Sequence, residues 1–577
     1  MGLFQQAMLT YDNLSEKVGV LQEGKKEPLC PIAHIIAKAQ IEVTITKEGN
    51  FVDAKIVDKD NEKTVIPATE SSASRSSGIA PHILSDQLGY LTKIVQNEKK
   101  NKESKFEVYM NQLKDYMEFE NAHEKVVSIY QYMKKECLLE DLIASEILKK
   151  DDKGKLQGKI NGVEYEKCMV RWVVFSDEDK MHEECYRDST LFENWQKYVL
   201  NKNEIVDLCI LTGEQTVITQ NHSKGVIAKD NGAKLLSAND TTGFTYRGRF
   251  TKVDQLPNIG FEVSQKAHLA LRYLIANDGC YMGDSKSGRT FLWWNPKGKE
   301  LIKFDEFGFQ SKEETAEMSY KEQLFQTLTG YQKRFAVEDD VIVASFEAAT
   351  TGRLAITYYS ELKANDFFER VTNWYDEIIL SERYIPTFKN IVEYAFGREN
   401  EKGWFAVDGN VLKKESQVLI QCMLEGRKIP IYYVKKLAGR ATKQVLYDKK
   451  NRNRILITTC AVIRKYYNNQ LEKEEFKLNL QENSTDRSYL FGRYLALAEN
   501  IEYQSYSRDE KGKRDPNALR MQAAFAQKPF TTFRILEERL LPYKNKLSEG
   551  SKVYYKNLIQ SIICQLDMAS MDELNKP

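Results

Sequence analysis

From about residue 405 onward the sequence keeps almost entirely to one period, and this run of helical spacing limits the fold more than any other feature. Apolar residues recur three and four positions apart over Ser416–Glu425, Arg454–Leu471, Asp486–Tyr503, Pro516–Ala526, Thr532–Leu541 and Ser551–Leu566, the spacing that lines one face of an α-helix. Leu490, Tyr494, Leu497, Ala498 and Ile501 make the clearest stripe. Asp486 stands where an N-cap belongs, and Asp515-Pro516 joins a cap to a proline at the first helical position. An all-α bundle over 405–577 follows.

The preceding residues mix two periods. A short helix is expected first, then two alternating strands, Ile41–Thr46 and Phe51–Val57, about a Glu48-Gly49-Asn50 turn. Between Pro67 and Pro81 lie five serines and one arginine with no periodicity, which predicts a loop. Over 86–150 the pattern is helical and charged, with Val126, Ile129, Tyr130 and Met133 at helical spacing. Strands are expected at Val170–Phe175, Ile205–Leu211 and Arg289–Trp294, around a helix over Glu262–Ala276. In that helix Val263, Ala267, Ala270, Leu271 and Leu274 form the apolar stripe, so Gln265, His268 and Arg272 share another face. A second hairpin, Val341–Phe346 with Leu354–Tyr359, precedes a helix bearing Phe367, Val371, Trp374 and Ile378. The fold class is α+β: a mixed N-terminal and central α/β region followed by the bundle, divided by pattern into 1–205, 206–404 and 405–577.

Charge is balanced overall, 84 basic against 83 acidic residues, but unevenly spread. Residues 423–577 hold 29 basic and 18 acidic side chains, an excess of 11, and the preceding residues carry the compensating acid. A basic end beside an acidic remainder suits one end meeting a polyanion and the other meeting protein, and suits a solvated helical surface equally. Met1-Gly2-Leu3-Phe4 opens no signal pattern, and no 18-residue apolar run occurs, so a cytoplasmic protein without membrane contact is expected. Nine scattered cysteines with no Cys-x-x-Cys read as reduced, buried thiols.

Catalytic motifs are missing. Gly154-Lys155, Gly298-Lys299 and Gly512-Lys513 are not followed by Ser or Thr, as a phosphate loop requires, and no Gly-x-Gly-x-x-Gly fingerprint occurs. The six histidines never pair at helical spacing, and none follows His268. His182-Glu-Glu-Cys185 with Cys168 is the nearest approach to a metal motif, and a surface histidine beside a buried thiol is the plainer reading. No cofactor or metal is expected. Acidic pairs such as Asp339-Asp340 and Glu537-Glu538 leave a carboxylate-only metal site open, and with it a nuclease.

Binding features are richer. The stretch from Thr212 to Arg249 carries His222, Ser223, Lys224, Asn231, Asn239, Arg247 and Arg249 among glycine turns that let a backbone come close, though a polar surface loop has the same composition. Arg289, Trp293, Trp294, Lys297 and Lys299 interleave aromatic and basic groups, but consecutive tryptophans on a strand face opposite ways, so at least one belongs to the core. Lys511, Lys513, Arg514 and Arg520 cluster at a helix start, where the dipole adds to anion attraction.

An ordered series of short motifs resembles one family. Leu211-Thr-Gly-Glu214, His222-Ser-Lys-Gly-Val226, Gly232-Ala233, Ser237-Ala-Asn239 and Gly260-Phe-Glu-Val-Ser264 lead to Ala276-Asn277 and Gly283-Asp284. Trp294-Asn-Pro-Lys297, Thr351-Gly-Arg-Leu354, Tyr358-Tyr359, Trp374 and Tyr489-Leu-Phe-Gly-Arg-Tyr-Leu-Ala496 continue it. In this order they resemble the large subunit of the type I-C CRISPR surveillance complex, Cascade. That resemblance implies a non-catalytic subunit that inspects the PAM, helps open the duplex and stabilises the R-loop. Its implied partners are crRNA, target double-stranded DNA, a repeated backbone subunit, a crRNA-processing and capping subunit, and a recruited helicase-nuclease. A small subunit translated internally from the same gene is also implied, and Met423 is one candidate start. The serine segment departs from the family's basic character. Ser72, Ser74, Arg75 and Ser76 are carried over as PAM contacts because small hydroxyls and one arginine on a glycine-ended loop can enter a groove. A protein scaffold without direct DNA contact is the remaining alternative.

Overall fold

The computed structural model describes residues 1–75, 78–93, 104–150, 156, 158–175, 183–203, 205–227, 232–237, 252, 255–284, 288–305, 308–309, 320–350, 352–380, 384–403, 405–471, 479–511, 514–566, 574 and 576. The chain packs as two compact units. The first comprises Met1–Cys280, Arg289–Phe304 and Glu338–Leu362, and the second Tyr281–Gly288, Asp305–Val337 and Lys363–Pro577. The α+β class holds, with mixed structure in the first unit and mainly helices toward the C-terminal end.

In the first unit the expected hairpin forms between Ile41–Thr46 and Phe51–Ile56, Ile41 facing Ile56. Its turn needs Gly49, which adopts φ +71° with Ser128 O only 2.7 Å from where a Cβ would stand. Ile41–Thr46 also pairs in parallel with Val170–Phe175. His34–Lys38 and Lys63–Pro67 pair beside it as a separate two-stranded ribbon. Helices Lys105–Met117, Glu124–Met133 and Leu138–Ala144 replace the long charged pattern, and bury Val126, Ile129 and Met133. Helix Leu3–Asn13 lies against helix Phe261–Asp278. Strand Arg289–Trp294, with the predicted bounds, pairs with Asp340–Thr350, which in turn neighbours Arg353–Lys363. Trp172, Trp195, Tyr109, Tyr116 and Tyr132 are the largest wholly buried side chains of this unit's core.

The second unit holds the helices expected over 405–577, with shifted ends, together with earlier ones from 363 onward and the stretches 281–288 and 305–337. Helices Ala364–Ile378, Phe388–Phe396, Gly409–Leu424, Ile431–Ala441 and Lys449–Leu471 pack together. A second group, Arg487–Ser505, Pro529–Lys546 and Glu549–Gln565, closes over Leu490, Tyr494, Leu536 and Ile562. Asp486 caps as expected, its carboxylate accepting from Tyr489 N at 2.7 Å. The helix expected over 516–526 is broken at Met521 into Asn517–Arg520 and Gln522–Gln527. A short pair, Arg398–Glu399 with Phe405–Ala406, adds strand beyond the expected end of the sheet-rich part. Cys460 and Cys564 are exposed and Cys137 half-buried, so the expectation that every thiol is buried holds for Cys30, Cys168, Cys185, Cys209, Cys280 and Cys422 only. Among the described residues no helix is long and apolar enough to cross a membrane.

Candidate functional site

One polar cavity of about 430 Å³ in the first unit is lined by Ser72, Ser74, Arg75, His222, Lys224 and Arg272 together. Three local structures carry them there. The serine segment is not a plain loop. Thr69 caps a single helical turn, Glu70–Ala73, by accepting from Ser72 N at 3.1 Å, while its own N–H donates to Ser72 Oγ at 3.0 Å. The 221–224 segment docks on that turn. Asn221 Nδ2 donates to Ser74 Oγ at 3.2 Å, and Lys224 Nζ donates to the Ser74 carbonyl at 3.2 Å. Helix Phe261–Asp278 supplies the third wall, where Gln265 Nε2 donates to Ser223 Oγ at 3.2 Å.

Most cations at this cavity are paired within the protein. Arg75 makes a fork on Asp86, with Nη1 to Oδ2 at 3.0 Å and Nη2 to Oδ1 at 3.1 Å. Its guanidinium also lies 4.5 Å from the centre of the Tyr90 ring. Arg272 Nε donates to Glu27 at 3.1 Å. Glu70 hydrogen-bonds Thr219, and burial raises its carboxyl above the ordinary value against the pull of the Thr219 bond and the Lys234 charge. Lys224, whose contact is the Ser74 carbonyl, is the lining cation without a carboxylate partner among the described residues.

Four histidines line the same cavity: His34, His82, His222 and His268. Burial lowers His222 to about 3 and the other three to about 4, so all are uncharged at neutral pH. His34 Nδ1 donates to the Ile32 carbonyl at 2.8 Å and His268 Nδ1 to the Ser264 carbonyl at 2.7 Å. His222 Nδ1 is 2.8 Å from Ser264 Oγ, and His82 Nδ1 is 3.0 Å from Ser72 Oγ. The Nε2 atoms of His34 and His268 are buried without a hydrogen-bond partner. With paired arginines, uncharged rings, amides and hydroxyls, the cavity offers both donors and acceptors, and Lys224 adds one unneutralised positive charge.

The other predicted residues that the structure describes do not line this cavity. Ser76, Asn239, Arg247, Arg249 and Lys513 lie outside the described residues. Arg289 pairs with Glu347, and Lys297 and Lys299 both pair with the wholly buried Asp339, at 2.8 and 2.6 Å. Both tryptophans are core. Trp293 Nε1 donates to the Ile302 carbonyl at 2.7 Å and Trp294 Nε1 to Thr10 Oγ1 at 2.9 Å. One carboxylate of each acidic pair is engaged, Asp339 as above and Glu537 with Tyr494 and Lys544. His182 of the Cys168–His182–Cys185 grouping lies outside the described residues. Among the described residues no group of three or more His, Cys, Asp or Glu side chains is placed to hold a metal ion.

In the second unit Lys511, Arg514 and Arg520 are exposed, and Arg514 Nη2 donates to Tyr543 OH at 2.8 Å. Arg514 also lines a groove of about 1220 Å³ with Lys449, Lys450, Arg452 and Arg454, which the sequence reading did not single out. The signal for these was present in the Lys449-Lys450-Asn-Arg452-Asn-Arg454 run, hidden because it opens an otherwise amphipathic helix. Arg452 is held by a fork on Asp515, at 2.5 and 3.0 Å.

A family model described as CRISPR-associated protein (Cas_Csd1) matches residues 10–576. No curated protein matches the chain.

Proposed function

Because this chain belongs to the Cas_Csd1 family of CRISPR-associated proteins, we propose that it is the large, non-catalytic subunit of a type I-C crRNA-guided surveillance complex. In this reading crRNA pairing supplies sequence specificity, while the chain inspects the PAM, helps open the duplex and stabilises the R-loop. Its partners are crRNA, target double-stranded DNA, the backbone and crRNA-capping subunits, an internally translated small subunit, and a helicase-nuclease that performs cleavage, all in the cytoplasm.

The observation that carries the reading is the convergence of the serine turn, the 221–224 segment and the Arg272-bearing helix on one polar cavity. Those elements are far apart in sequence and contain several residues of the family-like motifs. A site with donors, acceptors and an ammonium that has no carboxylate partner among the described residues suits a nucleic acid whose groove edge and phosphate are met together. The groove flanked by Lys449, Lys450 and Arg454 suits sequence-independent backbone contact in the basic end of the chain.

The test is electrophoretic mobility shift of the reconstituted crRNA complex on PAM-bearing and PAM-less duplexes, with and without this chain, and with Lys224→Ala. PAM-selective binding that disappears without the chain and weakens with the variant supports the reading. Selectivity unaffected by omitting the chain turns it into a scaffold, and metal-dependent cleavage by the purified chain turns it into a nuclease.

A further inference from the structure

The hairpin that follows helix Ser189–Lys202 opens on a strand, Val206–Leu208, that is exposed along its whole length although it carries aliphatic side chains. Val206–Leu208 is an edge strand paired with Gln215–Thr219, whose other side takes Ile259–Gly260. A free edge strand at the surface normally turns polar side chains outward and guards itself with lysine or proline. Here Val206, Leu208 and Ile210 stand at every second position and are 58%, 48% and 56% exposed, with Ile205 beside them at 59%. Cys209, between Leu208 and Ile210, is instead wholly buried, in a small core with Ile218, Ile259 and Val263.

The ridge is firmly built. Cys209 N donates to the Glu214 carbonyl at 2.9 Å and Gly213 N to the Cys209 carbonyl at 2.8 Å, closing a turn in which Gly213 takes φ +74°. Ile210 N donates to the Asn258 carbonyl at 3.0 Å, and Asn258 Nδ2 reaches Asp207 at 2.6 Å. The aliphatic side chains are therefore presented by an ordered backbone, and covering them orders little further chain. The described charged side chains of the hairpin itself, Asp207 and Glu214, are both acidic and both exposed. A polyanion is repelled there, and a second copy of the same ridge would bring like charges together.

We propose that the Val206–Ile210 ridge is a docking element for another polypeptide of the effector complex, one that offers an apolar groove rimmed by basic side chains. The proposal rests on the reading of this chain as a subunit of that complex, and it assigns the ridge to protein and not to nucleic acid.

The test places a photo-crosslinking phenylalanine analogue at Leu208 in the chain, within the crRNA complex reconstituted from its purified subunits. A covalent adduct to a second subunit is expected, and Val206→Ser/Leu208→Ser/Ile210→Ser should weaken retention of the chain in the complex at least about tenfold, the scale of a lost apolar anchor. These side chains are exposed, so the melting temperature of the isolated variant should be unchanged. Adducts only to crRNA, DNA or another copy of this chain, or none while the chain still co-purifies with crRNA, overturn the proposal and leave the subunit reading standing. A wild-type chain that does not assemble with crRNA at all overturns both.

Discussion

Arg75 and Asp86 form a closed fork, with two nitrogen-to-oxygen contacts of 3.0 and 3.1 Å, beneath which Asp86 also accepts from His82 N and Gln87 N. Asp86 is wholly buried, and Arg75 is the cation that faces it. Breaking one side of such a pair costs about 3 kcal/mol, because the other charge is left uncompensated. Arg75→Ala and Asp86→Ala should each lower the stability of the first unit by that order in urea unfolding, and the double variant should lose less than the two together. Arg75→Lys should recover little, since a point ammonium cannot make the fork. Strict additivity would show that the two side chains do not interact.

Lys224 carries positive charge at the cavity with no carboxylate beside it among the described residues. Lys224→Ala in the reconstituted complex should weaken duplex binding and reduce the slope of log affinity against log salt by about 0.9, the value for one phosphate contact. An unchanged slope with weakened binding would place Lys224 on a base edge or in a purely structural role.

The cavity histidines make stability depend on pH. Each has its folded pKa depressed by burial, from 6.5 to about 4 for His34, His82 and His268 and to about 3 for His222. Between these values the unfolded chain binds more protons than the folded one, so stability is present above about 6.5 and falls as pH drops toward 4. Glu70, whose pKa is raised by burial, works in the opposite sense and offsets part of the loss. Urea midpoints measured from pH 7.5 to 4.5 should fall steadily, and His268→Gln should flatten the curve. A wild-type midpoint that rises on acidification would contradict the buried neutral rings.

Trp293 and Trp294 belong to the core and not to a stacking platform, being 6% and 4% exposed. Trp294→Ala should cost about 3 to 5 kcal/mol in stability. Trp294→Phe should keep most of the packing, lose the bond to Thr10 and leave single-strand DNA affinity unchanged. A selective loss of affinity in the Phe variant would return the residue to the nucleic-acid surface.

These cases show what spacing carries and what it omits. Arg289–Trp294 was legible because alternation and β-branched or aromatic residues agree there, and Asp486 because capping is chemistry within four residues. The parallel pairing of Ile41–Thr46 with Val170–Phe175 was not, since no local signal joins segments so far apart. Helix Ile431–Ala441 was passed over because Lys435, Lys436 and Gly439 dilute the stripe of Tyr433, Val434, Leu437 and Ala441. Within the cavity, residue types were readable but not their partners. Asp86 and Asp339 neutralise cations that look free in sequence. His268 lies off the apolar stripe and is nonetheless buried, because its Nδ1–H is satisfied by Ser264 one turn back, leaving a ring that packs edge-on with Phe4.

The first unit takes its last strands from Arg289–Phe304 and Glu338–Leu362, with stretches of the other unit intervening. Ribosomal synthesis therefore delivers Thr10 long before its partner Trp294, and the Phe261–Asp278 helix before the Asp340–Thr350 strand that shares its core. Until residue 362 has emerged, the part of this core that Ile342, Ala344, Phe346 and Leu354 complete lacks its native cover, and exposed apolar surface of that kind favours aggregation. It also means that cutting the gene after residue 280 yields an incomplete core and not an independent N-terminal domain.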